Sequence, residues 1–194
     1  MEATGQKALK IVRAAHIYLT MLVLLLLLFF GATGFMLNHS DWFSLEDVRT
    51  RSERGALPRR MVDEVDRLAI VEKLRSDFGA RGALDSFETE AGLLRVVFKR
   101  PGSRTEAVIS RADGSLESTT ESHGGAAVLT DLHMGHGAGK AWRWVIDATA
   151  ILLLGASLTG LTLWISLPRR RRVGLAALAV GLLASATTYF LFVP

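Results

Sequence analysis

The chain has 194 residues, with 23 Lys/Arg against 19 Asp/Glu, 49% apolar side chains and no cysteine. Without cysteine it forms no disulfide, thiolate metal site, iron–sulfur cluster or covalent c-type haem link, so any redox centre must be held by histidine or methionine. The apolar residues gather in three uncharged runs, 17–37, 148–167 and 173–193. Each is about 20 residues long and, at about 1.5 Å per residue, crosses a hydrocarbon core of about 30 Å.

Taken in chain order, residues 1–13 form a basic flank carrying Lys7, Lys10 and Arg13. The first span, 14–38, has an apolar core longer than the roughly 7–15 residues of a secretory h-region, so it reads as a retained anchor. Residues 41–60 are polar and read as a linker. Across 63–79, apolar residues at Val65, Leu68, Val71, Leu74 and Phe78 keep helical spacing, with Gly79 as a stop. Strand-like pieces follow at 87–90, 93–100, 104–110 and 115–120, separated by Ala91-Gly92, Pro101-Gly102 and Asp113-Gly114. The second span is 141–167, a loop of arginines fills 168–172, and the third span is 173–193. The expected fold is an α-helical membrane protein with three transmembrane helices. A small α+β domain, one helix and an antiparallel meander of three or four strands, is inserted within 41–130 between spans one and two. Small residues recur in the spans, Gly31 to Gly34 and the Ala156/Gly160 pair, and suit close helix packing within one chain or in a homodimer.

The basic residues set the orientation. The N-terminal flank and the Arg169–Arg172 run hold seven Lys/Arg against one acid, while 41–147 is nearly balanced, with 16 basic and 18 acidic residues. The positive-inside rule then places the N-terminus and the Arg loop in the cytoplasm and the inserted domain outside. The excess charge reads as topology, with no nucleic acid as partner; the membrane lipid is the partner it implies.

The histidines are His16, His39, His123, His133 and His136. His16 and His39 are separated along span one by about 34 Å of helix, so they sit at opposite faces of the membrane. His39 and the His133/His136 pair fall on the same, outer side. One imidazole from each of two helices grips a b-type haem, and imidazole also suits a non-haem metal. His133 and His136 are three residues apart and share a face if the helix continues through them. The competing reading is a polar collar: histidine, Trp142 and Trp144 are at home at a membrane interface. Asp147, about a turn inside span two, needs a partner. Arg143 supplies one as an anchoring ion pair, or a histidine supplies one with Asp147 behind it as a supporting carboxylate. No Ser–His–Asp signature, nucleotide-binding glycine loop or flavin fingerprint is present, which excludes a reductase drawing on NAD(P)H by itself.

The segment RAAHIYLTMLVLLLLLFFGATGFMLNHSDWF resembles the first span of bacterial PepSY-associated transmembrane proteins, with histidine near the inner end and a TG-x-x-L-N-H exit. DLHMGHGAGKAWRWVIDATAILLLGASLTGLTLW resembles their second span, and the chain is similar to the short three-span members. Larger relatives are inner-membrane proteins linked to iron and siderophore uptake, some of them haem-containing reductases. The resemblance places His16, His39 and His133 on the histidine positions of those motifs, while His136 stands where short members carry Arg. It implies a bacterial inner-membrane protein with a periplasmic PepSY-like domain. It further implies haem b on His39 and His133, ferric iron or a ferric-siderophore as substrate, and a second copy or partner membrane subunit to complete the electron path at His16. The rival expectation is a non-enzymatic PepSY subunit that binds, inhibits or assembles with a periplasmic partner.

Overall fold

The computed structural model describes residues 2–43, 45 and 47–194, with side chains from Gly5 onward. Met1 of the N-terminal flank, and Ser44 and Glu46 of the 41–60 segment, lie outside the described residues. The chain divides into two units, Leu28–Asp147 and Met1–Leu27 with Ala148–Pro194.

Three helices are long and apolar enough to span a membrane: α1 (Glu2–Asn38), α5 (Gly139–Ile165) and α6 (Arg171–Phe192). Each starts before its expected first residue. In α1 the flank QKALKIVR is made of good helix formers, so the helix continues beyond the apolar stretch. Outward residues such as Leu25, Ile151 and Leu182 are exposed in the isolated chain, the pattern of helices solvated by lipid.

In the unit holding α6, α1 meets α5 through small residues. Val23 and Ala156 are buried, and a Cβ on Gly155 would sit 3.5 Å from Leu19. The Ala156/Gly160 pair therefore serves packing within the chain. α5 ends at Ile165, and Arg171 Nε donates to the Ile165 carbonyl at 2.6 Å. One arginine of the basic run thus caps a helix as well as marking topology, because the last carbonyls of a helix lack intrahelical donors. Trp164 packs directly on Gly174 of α6.

The other unit is a five-stranded antiparallel sheet, β1 (Arg49–Ala56), β2 (Ala83–Glu90), β3 (Leu93–Arg100), β4 (Ser103–Ser110) and β5 (Ser115–Ser122), in the order β1-β5-β4-β3-β2. Helices α2 (Arg59–Asp63) and α3 (Arg67–Asp77) cover one face. Leu94, Val96 and Phe98 of β3, Ala107 and Ile109 of β4 and Leu116 of β5 point to Val62, Ile70, Val71 and Leu74. Alternate positions carry ion pairs on the opposite, open face, Arg95 with Glu106 and Arg104 with Glu106, as a half-solvated antiparallel sheet requires. Phe98 is fully buried, and its truncation to alanine removes about 3–5 kcal/mol.

Two expectations need correction. The 41–60 segment is not a linker: β1 occupies 49–56 and pairs along its whole length with β5, Arg49 opposite Ser122 and Ala56 opposite Ser115. The helix expected over 63–79 is shorter, α3 at Arg67–Asp77, and the short α2 ends before it at Asp63. Asp66 accepts a bond from the Ala69 amide at 3.1 Å and starts α3, and Val65 turns the chain at φ +49°. The buried stripe of α3 is consequently Ile70, Val71 and Leu74, and Leu68 faces solvent.

Candidate functional site

A helix absent from the expected elements, α4 (Gly124–Met134), joins the sheet to α5. It ends at Gly135, whose φ of +73° closes the last turn. His133 lies in that turn and His136 lies beyond it. The two histidines therefore do not share a helix face, because α4 stops between them.

His133 is directed at α1. Its Nδ1 is 2.7 Å from Thr33 Oγ1, its ring meets Phe30 edge-on at 5.2 Å between centroids, and its Cε1 would be 3.3 Å from a Cβ on Gly34. The single hydroxyl proton of Thr33 is given to the Phe29 carbonyl, also at 2.7 Å. With that proton on the Phe29 carbonyl, the oxygen accepts from the imidazole, an arrangement that puts a proton on Nδ1 of His133. Trp142 fixes the same junction by donating Nε1–H to the Leu132 carbonyl at 2.7 Å, with its ring edge-on to Phe29.

His16 repeats this construction in the other unit. Its Nδ1 lies 3.1 Å from the Ala156 carbonyl and 3.0 Å from Thr159 Oγ1, and its Cε1 would be 3.0 Å from a Cβ on Gly160. A carbonyl only accepts, so Nδ1 again bears a proton. Thr159 gives its own proton back to its helix, to the Gly155 and Ala156 carbonyls. In both cases the receiving residues are consecutive, Thr33-Gly34 and Thr159-Gly160. Threonine accepts the imidazole N–H, and glycine lets the ring approach the backbone.

His39 follows the last residue of α1. Its Nδ1–H donates to the Phe35 carbonyl at 3.1 Å, and its ring lies between Phe35 and Trp42, 4.3 Å from each. Here too no hydrogen bond to Nε2 is made among the described residues. His39 and His133 have no hydrogen-bond or ring partner in common among the described residues. His136 is exposed, with Nδ1 4.0 Å from Asp131. His123 follows β5, and its amide donates to the Gly102 carbonyl at 3.0 Å. Among the described residues Arg143 and Asp147 form no ion pair, so the expected anchoring pair is not made, although they are one turn apart on α5.

His16, His39 and His133 thus share one arrangement: Nδ1 is hydrogen-bonded to the protein, and no hydrogen bond to Nε2 is made among the described residues. That is the arrangement of an imidazole prepared to bind a metal, since the outer hydrogen bond fixes tautomer and ring orientation. No group of three or more His, Asp or Glu side chains suited to a bare metal ion occurs among the described residues. Haem iron asks the protein for only one or two axial ligands, and on donor chemistry these imidazoles fit it. Sequence reasoning passed over Thr33 and Thr159, and read Gly34 and Gly160 only as helix-packing residues, not as seats for the imidazoles. The repeated Thr-Gly step was their one visible signal.

An antiparallel α+β domain carried between two membrane helices, with histidines seated on the helices and at their exits, defines a membrane-anchored domain protein. A sequence model of the PepSY_TM-like family matches residues 8–194, and the chain belongs to that family. Neither a curated protein nor a solved structure matches it.

Proposed function

We propose that the protein is an inner-membrane haem b carrier that passes electrons outward to ferric iron or a ferric-siderophore. The N-terminus and Arg loop would be cytoplasmic and the sheet domain periplasmic. The observation that carries the reading is the common arrangement of His16, His39 and His133, each with Nδ1 hydrogen-bonded and Nε2 without a hydrogen-bond partner among the described residues. His39 and His133 would hold the iron at the outer side, and His16 would serve at the other end of the first span. Bound haem supplies one-electron chemistry within the membrane's low dielectric. The chain's own contribution is to fix two imidazole tautomers through Thr33 and the Phe35 carbonyl, and to keep the rings from turning. The electron donor would be quinol or a partner subunit, since no nucleotide site is present in the sequence. Iron as the acceptor rests on the resemblance to siderophore reductases.

The test is an absorption spectrum of the purified membrane protein. A Soret band with reducible α and β bands is expected, abolished by His39→Ala or His133→Ala and unchanged by His123→Ala. Full haem content in both single variants would overturn the ligand assignment. A second reading is favoured by the bonds of His16 and His133 to threonines of another helix, since interhelical bonds of this kind also hold spans together without a cofactor. Under it the protein is a non-enzymatic PepSY subunit, and the purified protein is colourless.

A further inference from the structure

The sheet unit carries a groove that belongs to none of the sites above, with a volume of about 380 Å³. Its basic groups are Lys99 and Arg100 at the end of β3, Arg104 on β4, His123 after β5 and His136 after α4. These elements are held together at the Pro101-Gly102 turn. The Gly102 amide donates to Asp131 Oδ2 at 2.7 Å, and the Gly102 carbonyl accepts from the His123 amide at 3.0 Å. Gly137, at φ +64°, lies so close to β3 that a Cβ there would be 2.9 Å from the Arg100 carbonyl carbon. That approach brings His136 beside Arg100.

The acids in and around the groove are already engaged. Asp85 pairs with Lys99 at 2.8 Å, Glu106 pairs with Arg104 at 2.9 Å, and Asp131 holds the Gly102 amide through one oxygen while the other lies 4.0 Å from His136 Nδ1. Arg100 has no carboxylate partner among the described residues. The groove therefore presents an uncompensated guanidinium flanked by two imidazoles, in a concavity braced by backbone bonds. An adjoining cavity of about 270 Å³ shares Lys99 and Gly137 with it and reaches Arg143, on the first turns of α5.

We infer that this groove binds a phosphate-type oxyanion. Arg100 engages the oxygens through its planar fork, and the ring N–H groups of His123 and His136 donate alongside it. The phosphate belongs either to an anionic phospholipid headgroup, which Arg143 at the start of a membrane helix favours, or to a soluble phosphorylated ligand.

The experiment titrates inorganic phosphate into the full chain in phosphatidylcholine nanodiscs, against chloride at equal ionic strength, by calorimetry. A second arm repeats it in nanodiscs containing phosphatidylglycerol. Saturable phosphate binding is expected, weakened about tenfold or more in Arg100→Gln, the loss of one charge-assisted bond. His136→Gln should weaken it to a smaller degree, and Arg60→Gln, on α2, should leave it unchanged. Competition by phosphatidylglycerol assigns the site to lipid, and undiminished affinity in that arm assigns it to a soluble ligand. Unchanged affinity in both Arg100→Gln and His136→Gln, with wild-type circular dichroism, or no saturable binding in either arm, would overturn the inference.

Discussion

Replacing Thr33 with valine preserves the side chain's shape and removes its hydroxyl. The hydroxyl is buried, the residue being 2% exposed, and it receives the His133 Nδ1–H over 2.7 Å. Interhelical bonds of this kind in membrane proteins are worth about 0.6 kcal/mol on average and about 1.7 at most. The unfolding equilibrium in detergent should therefore move by about 3-fold to about 16-fold. The sharper readout is the imidazole itself. In 15N spectra of histidine-labelled protein, wild-type His133 should show a protonated Nδ1 and a bare Nε2. Thr33→Val should lose that bias, because no acceptor remains beside Nδ1, and Thr33→Ser should keep it. A wild-type His133 protonated on Nε2, or a Thr33→Val spectrum identical to wild type, would refute the bonding argument and remove the main support for an available Nε2.

Gly160→Ala sets a helix-favouring residue against a ring that would be 3.0 Å from its Cβ, while Gly31→Ala meets nothing within 4 Å. The first should disturb the His16 resonances and lower stability, and the second should be neutral or stabilising by up to about 1 kcal/mol; equal effects on the detergent unfolding midpoint would contradict the clasp. Asp113 is held down to about 2 by the Ser110 side chain and by the Ser115 amide and hydroxyl, from an ordinary value of 3.8. A depressed folded-state value stabilises above the unfolded value and is lost as pH falls through the folded one. Asp113→Asn should therefore flatten the loss of stability between about pH 4 and pH 2, read from denaturant midpoints across that window. The chain has no cysteine of its own, so single cysteines report topology cleanly. Glu72→Cys should react with an impermeant maleimide from the periplasm and Arg170→Cys only after the inner membrane is opened, and the reverse pattern would invert the orientation.

The spans and the central strands could be read from sequence because each is specified by its own residues: unbroken apolar runs for the helices, alternation and turn pairs for β3, β4 and β5. β1 could not. RTRSERGA has no apolar alternation, and all but one of its residues are exposed. It is a strand because β5 offers it a partner, and its charges are those of an edge that must not recruit another chain. α4 was obscured by its opening glycines, and the common face of His133 and His136, conditional on a helix continuing through both, is ruled out by the cap at Gly135. His16, His39, His133 and His136 stood out in the sequence as candidate ligands, but the partners of His16 and His133 were not visible. Thr33 is a hundred residues from His133 in the chain and Thr159 is 143 from His16, and local periodicity contains no information at that range.

The place of β1 also constrains how the protein is made. Arg49 pairs with Ser122, so β1 leaves the ribosome with its only neighbour about 70 residues behind it; at about 5–20 residues per second the wait is about 4–15 s. During that interval β2, β3 and β4 can zip as successive hairpins, while β1 stays tethered to the already synthesised first span. The domain is completed only when the last strand arrives, and that strand brings the exit of the domain back beside its own entrance. The two chain crossings of the sheet unit are therefore neighbours, which makes the unit a cassette that can be exchanged for another domain with adjacent ends while the helices on either side keep their order.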